Sequence, residues 1–399
     1  AIKAQVGDVL VVSYVGMLDA YNKKKKGDTI NVKMQTGVTL SEVVVVGYGT
    51  TTAKSFTGTL KQIKAEVLER KSVTNISQAL AGETAGVRVI NSSGQPGNDA
   101  TIRIRGIGSV NANYSPLYVL CGVPDAGSMS AVHLADVESM TILQDASATA
   151  MYGSRGANGV VIINTKTSKG VSNFIQVETK LGNNIALLPR YSIIKSPEQY
   201  IGLSWESIYN QGVIIGNADP KAYANARLFS ASGIDPKYNM WNATAAQLID
   251  PITRTVNTGV TRKYTPEDWS DYAFQASIRS ETNLTMGGSE GKTSYYTSFG
   301  YLEDKGYSIN SDFTRMSTRI NLNHQIRSWL KGAMNIGYSL SKSNNNGQTS
   351  DSGSVFWFVD NLPPIYPLFE RDASGKIKPD PIYEGGLYDY GVGRGFGAL

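Results

Sequence analysis

The sequence predicts a mixed fold: the end of a small β-sandwich, a compact α/β domain, and the first strands of a large antiparallel β-barrel of the outer-membrane type. Three observations predict it. Gly (41) and Tyr (22) are abundant while charged residues are only 18% of the 399, below the roughly 25% of an average soluble domain. Residues 55–168 alternate short apolar runs with short helical stretches and Gly, over about one domain's length. Beyond residue 171, long segments alternate in polarity residue by residue, the pattern of barrel strands with a polar inner and an apolar outer face.

Residues 6–34 read as a β-hairpin, with "VGDVLVVSYVGM" and "TINVKM" as strands and "LDAYNKKKKGD" as a solvated loop. "LSEVVVVGYGTTT" (40–52) follows. Four successive valines have the composition of a buried strand, yet no strand stands obviously beside them. The run is expected to be either a core strand or a segment kept free to pair with another protein.

In residues 55–170, Ser72, Thr74 and Asn75 are cap candidates ahead of a short helix, with a strand at Val87–Ile90 after Gly86. "ATIRIRGIG" places Ile102 and Ile104 on one face and Arg103 and Arg105 on the other. "LYVLCGVP", "SMTILQ" and "GVVIINTK" are further strands, and "DASATAMYG" a short helix. After 171 come a first long strand (about 171–187), a polar, aromatic stretch of irregular texture over 189–278, and strands at 279–288, 293–303, 312–325 and 329–341. The joints "GSEGK" and "IRS" are short, as periplasmic turns are; long loops lie outside.

Composition excludes several functions. One Cys (Cys121) and two His (His133, His324) leave too few ligands for a structural zinc site and none for a disulfide within the chain. A net charge of +5 makes no case for nucleic acid. "GGSEGKTS" has Met286 where a phosphate-binding loop needs Gly, and it joins two strands instead of opening a helix. No nucleophile elbow or catalytic pair of carboxylates stands out, so neither enzyme activity nor a cofactor is expected.

"LSEVVVVGYGT", "ALAGETAGVRVINSSGQPGNDATIRIRGIGS", "PLYVLCGVP", "VESMTILQDASATAMYGSRGANGVVIINTK" and "LTMGGSEGKTSYYTSFGYLEDKG", in that order, resemble the SusC/RagA family of TonB-dependent outer-membrane transporters. Cys121 stands where that family usually has Asp, Gln144 where Lys is usual, and Ser41 where Asp often precedes the Glu. The resemblance implies an α/β plug inside a 22-stranded barrel, importing oligosaccharides or, in some members, peptides. It implies TonB and a SusD-like surface lipoprotein as partners, outer-membrane lipid around the barrel, and a Gram-negative cell.

On that basis the expected domains are the end of an N-terminal, carboxypeptidase-regulatory-like sandwich (1–40), a TonB box and linker (41–54), the plug (55–170) and the N-terminal part of the barrel (171–399). With strands of about 9 to 11 residues and so long a first loop, the chain is expected to be part of a longer transporter. The resemblance places TonB contact at Glu42, Val43, Val44, Val45, Val46, Gly47, Tyr48 and Gly49, by strand addition. Arg103, Arg105 and Arg155 are expected to pair with plug carboxylates such as Glu138 and Asp145, or to face the wall. Asn111 and Tyr114, and Trp205 and Trp241 in the first loop, are candidate substrate contacts. The alternatives are a receptor that mainly senses substrate and a non-transporting surface binding protein.

Overall fold

The computed structural model describes residues 9–12, 20–23, 43–46, 49–52, 60–71, 73–91, 93–106, 114–125, 129–168, 171–187, 190–346 and 354–392. The chain forms two compact units, Ala1–Thr179 with Thr282–Tyr301 and Arg315–Ser341, and Lys180–Glu281 with Leu302–Thr314 and Lys342–Leu399.

In the first unit β1 (Val9–Val12) pairs antiparallel with β2 (Ala20–Lys23), Val9 opposite Lys23. The second strand therefore lies inside the expected lysine loop; a nearer partner closes a shorter loop at lower entropic cost. The valine run is β3 (Val43–Val46), and it has a partner after all: β4 (Gly49–Thr52).

The α/β domain is built on a five-stranded sheet in the order β5 (Leu60–Lys64), β10 (Val137–Leu143), β11 (Val160–Thr165), β8 (Leu117–Leu120), β9 (Val123–Asp125). The β11–β8 pair is parallel and the others are antiparallel. Both faces are covered, as the unbroken run "VVII" in β11 demands. Met140, Ile142, Val161 and Ile163 pack with Leu68 of α1 (Ala65–Glu69) and Ile76 of α2 (Ile76–Ala79); Val119, Leu143, Val160 and Ile162 form a smaller core. Of the cap candidates Ser72, Thr74 and Asn75, Asn75 caps α2: its side chain accepts from the Gln78 amide at 3.0 Å.

A separate ribbon pairs β6 (Val87–Ile90) with β7 (Thr101–Ile104). Ile102 and Ile104 are buried as their alternation predicts. Gly159, at φ +90°, sits where an added Cβ would come within 2.7 Å of the Ile104 side chain, so both backbone and space require Gly. α3 (Ala146–Thr149) precedes β11.

A second five-stranded sheet runs in sequence order: β12 (Phe174–Asn184), β13 (Ser277–Glu290), β14 (Thr293–Lys305), β15 (Asp312–Arg327), β16 (Leu330–Asn344). These are the five expected strands, each extended or trimmed by a few residues. Gly291, at φ +56°, turns the chain between β13 and β14, which confirms "GSEGK" as a hairpin.

In the second unit, the stretch expected to be irregular is partly helical over residues 190–278. They contain α4 (Pro197–Ile214), α5 (Pro220–Leu228), α6 (Ala245–Leu248) and α7 (Trp269–Ala273), and these share a core with α8 (Val355–Asn361). The start signals were present: Ser196 and Asp219 cap α4 and α5, each followed by Pro in the first turn.

Candidate functional site

The polarity of the second sheet is inverted relative to a water-soluble protein. Along β14, Ser294, Ser298 and Asp304 are buried while Tyr295, Phe299 and Tyr301 are exposed; along β15, Arg315, Ser317, Arg319 and Asn321 are buried while Met316 and Ile320 are exposed. β12 exposes Ile175, Val177 and Leu181, and β16 exposes Met334, Ile336, Tyr338 and Leu340. Apolar residues outward and polar residues inward is the pattern of an outer-membrane barrel wall.

Within the first unit the polar face seats the α/β domain. Arg315, only 2% exposed, donates from Nη1 to the carbonyls of Thr74 (3.0 Å) and Ser130 (2.7 Å). Asn321 Nδ2 donates to Thr165 Oγ1 (2.9 Å) and to the Lys166 carbonyl (2.8 Å). Asp136 is a hub. Its Oδ1 accepts from the Tyr296 hydroxyl at 3.1 Å, its Oδ2 lies 3.7 Å from Arg319 Nε, and its carbonyl accepts from the Lys166 amide at 2.8 Å. Buried polar groups need such partners, since an unpaired one costs about 1–3 kcal/mol. A planar guanidinium serves several acceptors at once.

Gly287 and Gly288 of β13 lie so close to Ser168 and Asn173 that neither could carry a Cβ without displacing them. Beside this seat a cavity of about 480 Å³ is lined by Cys121, His133, Asp136, Arg319 and Gly337 among others. Cys121 Sγ lies 3.1 Å from Thr165 Oγ1, so a polar contact exists at this position.

Arg103, Arg105 and Arg155 are the arginines expected to pair with plug carboxylates or to face the wall. Arg103 stacks over the Tyr114 ring at 4.4 Å. Arg105 and Arg155 are exposed, and Arg105, at φ +56°, is fixed through its amide to the Gly86 carbonyl (2.8 Å). Among the described residues none of the three pairs with Glu138 or Asp145. Glu138 leaves the sheet surface with part of its side chain open to solvent, while the covered part raises its carboxyl by desolvation against the opposing pull of Lys166. The reason is topological: the buried guanidiniums, Arg279, Arg315 and Arg319, come from β13 and β15 and not from the domain's own ribbon. "TRMSTRINLN" carries the signal, with Arg315, Ser317, Arg319 and Asn321 at every second position.

Trp205 and Trp241 are corrected too. They are 0% and 1% exposed, with Trp205 stacked on Tyr209 (5.3 Å) and donating to Asn225 Oδ1 (2.8 Å); they are core, and present no face for a sugar. Tyr114 is half-buried beneath Arg103. Asn111, Glu42, Gly47 and Tyr48 lie outside the described residues. Of the expected TonB contact, Val43–Val46 and Gly49 are described, as the two strands of the β3–β4 hairpin.

A plug-type domain seated on the polar face of an apolar-backed meander invites comparison with TonB-dependent receptors. Residues 52–160 match the TonB-dependent receptor plug domain. The chain is 29% identical over 377 residues to TonB-dependent receptor P26 of Formosa agariphila and 28% identical over 379 residues to TonB-dependent receptor SusC of Bacteroides thetaiotaomicron. These alignments cover 94% and 93% of this chain and 33% of each relative. The chain thus spans about a third of the length of the curated relatives it matches. It superimposes on the RagAB peptide importer in the open-open state with a TM-score of 0.62 at 27% identity, over 87% of this chain and 37% of that one. In sequence and in fold the chain is thus similar to the SusC and RagAB type of TonB-dependent receptor, and residues 52–160 match its plug domain.

Proposed function

We propose that the protein imports a large nutrient across the outer membrane of a Gram-negative cell, drawing energy through TonB, with an oligosaccharide as first substrate class. The observation that carries this reading is the inverted sheet: apolar residues outside, and inside a polar lining hydrogen-bonded to a plug. A peptide is the second reading, favoured by the likeness to the RagAB peptide importer and by the burial of Trp205 and Trp241. A SusD-like surface lipoprotein is the proposed outer partner.

In this reading the joints at 291–292 and 328–329 are periplasmic. Trp329, 81% exposed at the second joint, suits a membrane interface. The helical stretch from residue 190 is then extracellular, and a tag between Asn217 and Ala218, in an exposed turn, should be reached by antibody on intact cells.

The test of function is Val44→Pro or Val45→Pro in the full-length protein. Pro removes a main-chain donor from a strand that must pair. Uptake of fluorescently labelled oligosaccharide and peptide pools should be lost while binding at the cell surface persists. Undiminished uptake of both pools by the Pro variants would refute energy coupling through this segment.

A further inference from the structure

The valine strand is already paired. Val43, Val44, Val45 and Val46 stand opposite Thr52, Thr51, Thr50 and Gly49 in antiparallel register, and among the described residues the pair belongs to no larger sheet. We infer that Gly49–Thr52 is a built-in stand-in for the partner strand: it occupies the edge of Val43–Val46 that TonB takes, and TonB binds by displacing it. The inference rests on reading this segment as the contact for TonB.

Three physical points carry it. An isolated two-stranded ribbon is marginally stable in water, so β4 can be exchanged for a partner strand. Each main-chain hydrogen bond lost to β4 is regained from the newcomer, and the exchange is nearly balanced. Second, an unpaired run of four valines would be a template for aggregation; a threonine strand from the same chain covers one edge at high effective concentration, since only two residues separate Val46 from Gly49. Third, the plug match begins at residue 52, where β4 ends. β4 is therefore the link between the valines and the plug, and its displacement by TonB frees the segment through which a pull reaches the plug. The ribbon opens one pair at a time, from Val43–Thr52 towards Val46–Gly49, so engagement and the start of plug traction become one event. Affinity for TonB is set by the fraction of molecules whose ribbon is open.

The test uses the full-length protein in detergent, with Cys121→Ser as background, and the isolated C-terminal domain of TonB as probe. Val44→Cys with Thr51→Cys, and separately Val45→Cys with Thr50→Cys, staple the ribbon; both kinds of directly opposed pair lie within disulfide reach. Oxidised, the stapled proteins should bind the probe at least about tenfold more weakly than when reduced, because almost no molecule has a free edge. Replacing Thr50, Thr51 and Thr52 by Gly weakens the strand and should tighten binding several-fold. Equal affinity before and after reduction would overturn the inference, by showing that TonB adds to the outer edge of an intact ribbon. Failure of the reduced, unstapled protein to bind the probe at all would overturn the coupling reading itself, and this inference with it.

Discussion

The sheet β12–β16 and the helical region α4–α8 are built by the same chain under opposite rules. In the helical region Trp205, Trp241, Leu228, Leu248 and Ile365 are buried, and ion pairs such as Arg262–Glu198 remain partly open to solvent. In the sheet, Arg279, Glu281, Asn283, Arg315 and Asn321 are buried, while Ile278, Phe299, Ile320 and Ile336 are exposed. The lesson is that burial follows the surrounding medium. The first region removes apolar surface from water. The second turns apolar side chains outward, and its interior is held by hydrogen bonds and charge pairs that must be satisfied one by one.

The comparison breaks most readily at the helical core. Trp205→Ala removes a fully buried ring and its bond to Asn225 and should destabilise that region by about 3–5 kcal/mol. Protease cutting between residues 190 and 276 would report it, and an unchanged cutting rate would contradict a water-type core. At the plug seat, Arg315→Ala leaves the carbonyls of Thr74 and Ser130 without this donor; at about 1.5–3 kcal/mol for a charged hydrogen bond, plug release in urea should shift by about 3 kcal/mol. The midpoint for the helical region should stay in place.

On the outer face, Ile336→Lys should cost about 2–4 kcal/mol if that position lies near the bilayer midplane. An exposed residue of a soluble protein would tolerate the same change within about 0.5 kcal/mol, so refolding into lipid vesicles separates the two rules directly.

The smallest effect is electrostatic. Glu198 accepts from Arg262 Nε at 2.6 Å and also from Nη2, and this hydrogen-bonded guanidinium holds its carboxyl below the usual range. A depressed folded value stabilises above the unfolded value of about 4.3, and the benefit is lost as pH falls through the folded value. Both groups are about a third exposed, so Glu198→Gln should cost no more than about 0.5–1 kcal/mol at pH 7. Melting curves of variant and parent should converge towards pH 3; a gap that stays constant with pH would remove the ion pair as its cause.

Much was legible in the residues alone. Period-two alternation placed β12–β16 to within a few residues, because successive side chains of a strand point to opposite faces. Asn75, the Ile102/Ile104 face and the glycine hairpin were local signals with local causes. Only tertiary structure decided which arginines are buried, since Arg103 and Arg315 sit in equally alternating strands and differ in what covers them. It also decided that the loop tryptophans are core, because an aromatic residue in a polar stretch reads the same whether it stacks on a ligand or on Tyr209. The partner of the valine run was settled by the fold as well. Thr50–Thr52 have the β-branched composition of a strand, but main-chain pairing depends on which edge the folded chain brings alongside.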